Sequence, residues 1–101
     1  MTLSPEQAAE YAQWFRCLSD GTRVQILSFV AASGRPLTVG EIVDTVGKSQ
    51  STVSRHLAIL AEDRFVFMES DGVRTMVTAN AACMTALPQA AAAIMASTDN
   101  A

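Results

Sequence analysis

Aromatic side chains are scarce, only 6% of 101 residues, although half of the chain is hydrophobic. A domain of this length buries roughly 60–65% of the surface of its unfolded chain. One thin aliphatic core over residues 1–101 is therefore expected, and a partner subunit would help it. Long apolar runs are also missing, and none reaches the roughly 18–20 residues that a membrane span needs. The start, with Ser4, Pro5 and Glu6, lacks the basic and apolar stretches of a secretory signal. Two cysteines without an export signal imply free thiols in a reducing cytoplasm, not a disulfide framework. Positive charge is short, with 7 Lys and Arg against 10 Asp and Glu and a net charge of −3. That balance excludes a histone-like blanket for nucleic acid but leaves room for a local basic surface. There is one histidine, and no glycine-rich phosphate loop or metalloprotease motif. Nucleophilic catalysis needs a base and an orienting group beside the nucleophile, so an enzyme is not expected.

What is present is a succession of short helix signals. Ser4 with Pro5 and Gln7 forms a capping box, opening a helix over about 5–18. Its Ala8, Tyr11, Ala12, Phe15 and Leu18 recur at helical spacing and predict a core-facing stripe. Ser19-Asp20 starts a second helix with Val24, Leu27, Val30 and Ala31 inward, stopped by Gly34 and Pro36. Thr38 and Glu41 make another capping box for a short helix with Ile42, Val43 and Val46 inward, closed at Gly47. Ser49 then caps a helix over about 49–61 carrying Val53, Leu57 and Leu60. Two helices joined by the three residues Gly47-Lys48-Ser49 have the spacing of a helix-turn-helix.

After Asp63 the period changes. Residues 65–70 and 73–78 suit strands, and Asp71-Gly72 between them predicts a two-residue hairpin turn with positive φ at both positions. An alanine-rich helix follows over about 80–96, with Cys83, Met84, Leu87, Ile94 and Met95 on one side. Pro88 should kink or divide it. Ser97 to Ala101 has the composition of a frayed tail. The chain is thus mainly α with a β-hairpin: four helices, two strands, then a last helix, the order of a winged helix-turn-helix with an added helix at each end.

The segment from Lys48 to Leu57 carries the chemistry. Its apolar residues fix one face to the core, while Gln50, Ser51, Ser54 and Arg55 lie opposite. Short hydroxyls permit close approach to a DNA major groove, glutamine pairs with an adenine edge, and arginine pairs with guanine or clamps a phosphate. Residues 45–61 contain Lys48 and Arg55 and no carboxylate, a local +2 that leaves −5 for the rest of a chain totalling −3. An ordinary amphipathic helix also has a polar face. The short capped helix before this one and the hairpin after it favour a DNA-reading helix. A protein-interaction module would use the alanine-rich helix but would not explain the carboxylate-free segment.

Two stretches, Phe15 to Leu27 and Gln50 to Leu60, together with Gly72-Arg74, resemble the ArsR/SmtB family of small winged-helix repressors. The likeness runs from about residue 6 to 96. It implies a homodimer formed by the first and last helices (about 5–18 and 80–96) on an inverted-repeat operator in double-stranded DNA. It also implies repression of its own operon, with release by an inducer. The recognition helix would offer Lys48, Ser49, Gln50, Ser51, Thr52, Ser54, Arg55 and His56, and the wing over about 65–78 would offer Arg74. His56 is expected to contact phosphate or to pack. Trp14 and Met84 are expected in the core or the interface. The wing departs from the basic family pattern, since Glu69 and Asp71 outweigh Arg74. Gly21 stands where the family usually has proline, giving the second helix a softer start.

Two metal sites known in the family lack their ligands here. The third helix has no cysteine, and Asn80 and Ala82 stand where Asp and His would begin the last helix. Cys17 and Cys83 remain. Each is either a small buried hydrophobe or a soft ligand. Two sulfurs suit mercury(II), whereas arsenite needs a third donor. Oxidation to a disulfide or polysulfide, and a ligand-independent regulator, stay open.

Overall fold

A computed structural model describes residues 2–96. Helix α1, Pro5–Cys17, begins at Ser4, whose Oγ accepts the Gln7 amide in the expected capping box. Asp20 caps α2, Gly21–Ser33, by accepting from the amides of Thr22 and Arg23. Gly34 ends α2 at φ 65°, a left-handed conformation that costs glycine little. A short strand β1, Leu37–Thr38, precedes α3, Val39–Val46, and α4, Gln50–Glu62. Strands β2, Val66–Ser70, and β3, Thr75–Ala79, lead into α5, Ala81–Met95. The expected order holds, with the addition of β1. That strand pairs antiparallel with β3 (Leu37 with Val77) and makes a three-stranded sheet of order β1-β3-β2. Two residues are too few to show a period, so Leu37-Thr38 read only as a helix cap. The frayed tail expected after Ser97 lies outside the described residues.

The core lies between α2, α3, α4 and the sheet. Ile26, Leu37, Ile42, Val53, Leu57, Leu60, Phe65, Val66 and Val77 are fully buried. Each contributes roughly 1.5–3 kcal/mol relative to exposure. Helices α3 and α4 bury the residues their spacing predicted. Helices α1 and α2 do so only in part: Val30 is buried as expected, and Leu27 and Leu18 pack on the core. Val24 is exposed and Ile26 takes the inward place. On α1, Ala8, Ala12 and Phe15 face outward, and only Trp14, Cys17 and Leu18 reach the core. Periodicity finds an apolar stripe without saying what covers it. Here the stripe, with Leu3 and Ile94, lines a shallow groove of about 310 Å3. The terminal helices place only Cys17 and Ala90 among the buried residues. The molecule is correspondingly long, 53 × 22 × 21 Å, with a radius of gyration of 15.4 Å, against about 13 Å for a compact chain of this size.

Two further expectations are corrected. The hairpin does not turn at Asp71-Gly72 alone: residues 71–74 connect the strands, and only Gly72 among them has positive φ. The Asp71 carboxylate accepts from the amides of Val73 and Arg74, 3.1 and 2.8 Å, which organises a longer loop. Of the kink or division expected at Pro88, the division does not occur, and α5 runs unbroken from Ala81 to Met95. One backbone hydrogen bond is forfeited there, and the alanines around it have the strongest helix propensity available.

Glu41 closes α3's capping box and also meets Arg35 at 2.7 Å. The Arg35 hydrogen bond, then the Thr38 amide, hold its carboxyl down to about 2 from an ordinary 4.5. The ionised form is favoured by folding, so this stabilisation is complete above 4.5 and lost as pH falls toward 2. Glu41→Gln should therefore be less stable than the wild type near neutral pH, with the gap closing as pH falls through that window, measured by urea unfolding.

Candidate nucleic-acid interface

Helix α4 is held from one side only. Val53, Leu57 and Leu60 are fully buried and His56 is 7% exposed, whereas Lys48, Ser49, Gln50, Ser51, Ser54 and Arg55 are exposed. The preceding turn is the expected three residues, with Gly47 at φ 69° ending α3. Three of the expected contacts have their hydroxyls engaged locally, Ser51 Oγ lying 3.3 Å from Ser49 Oγ while itself exposed. Ser49 Oγ accepts the Thr52 amide at 3.2 Å and lies 2.9 Å from Thr52 Oγ1, so both serve the helix cap. Gln50, Ser51, Ser54 and Arg55 remain as one continuous face.

The wing comes close to this face. Gln50 and Arg74 line a common groove of about 250 Å3 with Thr38, Val39 and Val73. Thr38, Val39 and Val73 were not singled out by sequence. Only the Thr38 capping box hinted that an α3 terminus points outward. Val73, 92% exposed at the wing tip, had no legible signal. Asp71 is held ionised because the Arg74 and Val73 amides bond to it, so the wing tip stays acidic beside Arg74.

His56 does not belong to the outward face. It follows Val53 by three residues and precedes Leu60 by four, and that spacing turns it into the core. Its Nδ1 lies 3.2 Å from Arg23 Nη1. A guanidinium only donates, so Nδ1 accepts and the ring proton sits on Nε2. Arg23 Nε also donates to the Cys17 carbonyl at the end of α1. Arg23 thus joins α1, α2 and α4, a positioning role that its place in the Phe15 to Leu27 stretch did not disclose. Trp14 packs on the core as expected, while Met84 is 49% exposed.

The two thiols are engaged separately. Cys17 is buried, its Sγ 4.0 Å from the Ile59 carbonyl oxygen, and burial followed by the Asp63 carboxylate pushes it up to about 11. Cys83 Sγ donates to the Arg64 carbonyl at 3.2 Å, and burial raises it too. At both positions burial disfavours the thiolate, the form that attacks and ligates. Among the described residues no group of three or more His, Cys, Asp or Glu could hold a metal ion.

A capped three-residue turn, a core-anchored helix with a free polar face and a flanking hairpin define a winged helix-turn-helix protein. Residues 20–66 match the model of the arsR family of bacterial regulatory proteins. Over 70 residues the chain is 40% identical to the HTH-type transcriptional regulator KmtR of Mycobacterium tuberculosis, covering 69% of this chain and 52% of that one. Over 61 residues it is 39% identical to a probable mercury resistance operon repressor of Streptomyces lividans, covering 60% and 47%. The matches thus span about half the length of these curated relatives. A solution structure of a homodimeric winged helix-turn-helix DNA-binding domain from Mycobacterium bovis, a possible ArsR-family regulator, superposes with a TM-score of 0.67. It is 26% identical, over 91% of this chain and 89% of that one. The chain belongs to the arsR family of regulatory proteins, whose members are transcriptional regulators and not enzymes.

Arg23→Ala removes two charge-assisted hydrogen bonds and leaves a buried imidazole nitrogen unpaired. We expect a loss of about 1.5–3 kcal/mol in urea unfolding. Lysine at this position should not restore it, because it lacks the fork that reaches both partners. Cys17, at roughly 0.1% thiolate near pH 8, should react with iodoacetamide far more slowly than Cys83. The difference should vanish in denaturant, as followed by mass spectrometry.

Proposed function

We propose that the chain is a homodimeric, sequence-specific DNA-binding repressor that controls its own operon and is released from an inverted-repeat operator by an inducer. One observation carries this: the exposed Gln50, Ser51, Ser54 and Arg55 face stands on a helix fixed by fully buried residues, within a stretch free of carboxylates. Two such helices related by a two-fold axis would enter major grooves about one helical turn apart. Lys48 and Arg74 would add phosphate contacts, and the acidic wing makes the recognition helices carry most of the affinity. The homodimeric M. bovis neighbour supports the assembly. So does the outward stripe of α1 with Ile94, an apolar surface that suits a second copy. Action on chromosomal DNA would put the protein in the cytoplasm. No helix among the described residues is long and apolar enough to cross a membrane.

Thiol-directed induction by mercury(II) gains support from the mercury-resistance relative; oxidation of the thiols is the other thiol-directed reading. Within one subunit the two thiols are directed to different carbonyls, those of Ile59 and Arg64. Titration of mercury(II) into the DNA complex of wild type, Cys17→Ser and Cys83→Ser separates the cases. Equal release from all three excludes the thiols.

Arg55→Ala should lose about 1–3 kcal/mol of operator affinity and relax specificity at one base position. Lys48→Ala should weaken all sequences alike and lower the salt slope by about 1. Fluorescence anisotropy on DNA from upstream of the gene measures both. Unchanged affinity in Arg55→Ala would sink the assigned groove face.

A further inference from the structure

Resting on the repressor function above, we propose that a cavity between α2, β3 and α5 is an effector site for a small, neutral, apolar molecule. Its occupancy is transmitted to α4. The cavity holds about 280 Å3, with Leu27, Ala31, Phe65, Cys83, Met84 and Leu87 among its walls. An engineered cavity of about 150 Å3 accepts benzene, so one substituted ring or a short branched chain fits here. A second hollow of about 220 Å3 shares Ala31, Ala79 and Met84. Rotation of the flexible Met84 side chain joins the two and admits a longer ligand.

The walls select against charge. Asn80 and Cys83 supply the only polar side chains among them, and both are already satisfied. Asn80 Nδ2 and Cys83 Sγ donate to one atom, the Arg64 carbonyl oxygen, at 2.8 and 3.2 Å. An apolar occupant therefore strands neither group.

That shared acceptor also links the cavity to the DNA-facing helix. Arg64 is two residues beyond the end of α4 and is the one non-glycine residue with positive φ, 63°, among those described. Such a conformation persists only where its surroundings hold it. Its neighbour Phe65, a wall of the cavity, donates its amide to Leu60 of α4 at 2.9 Å and accepts from the Asn80 amide at 3.0 Å. A ligand that displaces Phe65 or Cys83 therefore pulls on the C-terminal end of α4, the helix that presents Gln50 and Arg55.

Toluene tests this on the full chain. Titration followed by 15N NMR should give saturable shifts at Leu27, Phe65 and Cys83. Operator affinity by anisotropy should fall at least fivefold, within the usual range of allosteric coupling. Ala31→Leu, and Leu87→Phe as a second filling variant, should keep DNA affinity within twofold of wild type and lose both responses. Absence of saturable shifts, a response that survives in the filled variants, or binding that changes operator affinity less than twofold overturns the proposal. Loss of the dimer in the filled variants by sedimentation overturns it too, since a second copy would then be the occupant. Toluene binding at these residues in a chain that binds no operator would support the cavity and refute the repressor function instead.

Discussion

The guanidinium of Arg23 is the point on which the arrangement of helices turns. α1 ends where Arg23 holds the Cys17 carbonyl, α2 begins where Asp20 caps the Arg23 amide, and α4 is oriented where the same side chain meets His56. A planar fork with fixed donors can satisfy two acceptors at once. The imidazole, being neutral on Nδ1, can be buried because it has that partner. The outward angle of Gln50 and Arg55 thus depends on a buried polar contact as well as on Val53, Leu57 and Leu60. Close packing of Val53, Leu57 and Leu60 fixes the buried face of α4, and the Arg23 contact adds a directional constraint at its edge.

Much of this architecture was legible because capping chemistry is local. Ser4 with Gln7, Thr38 with Glu41, Ser49, Gly34 and Gly47 each act within four residues, and the structure uses every one of them as the sequence suggests. The inward faces of α3 and α4 were legible because both helices meet the core on one side. What failed was non-local. α1 carries two apolar stripes, and nothing in their period tells which one meets this chain's own core. β1 is too short to announce itself, and its pairing with β3 spans some forty residues. His56 sits at the spacing of the core residues Val53 and Leu60, but a lone polar residue there does not show by itself which partner would satisfy it. That partner is the distant Arg23.

The electrostatics show the same economy of local and distant partners. Carboxylates are kept off residues 45–61, yet the wing retains Glu69 and Asp71. Asp71 is the price of the turn, since its oxygen organises the amides of Val73 and Arg74 and so fixes where Arg74 stands beside Gln50. A basic wing would bind phosphate more strongly but would need another way to shape that loop. In the proposed repressor, recognition would thereby be concentrated in α4, and affinity would depend on how rigidly α4 is presented.

The terminal helices close the argument. They hold Phe15, Met84, Ile94 and Met95, four of the exposed large hydrophobic residues. In the proposed dimer a second copy covers the α1 stripe with Ile94, completing a core too thin for one subunit. The other side of α5 borders the cavity and grips the Arg64 carbonyl. One helix would then face the partner, the effector and the end of the DNA-facing helix. A displacement too small to unfold either subunit could still change the separation and tilt of two α4 helices together, and DNA fixes both through its helical repeat.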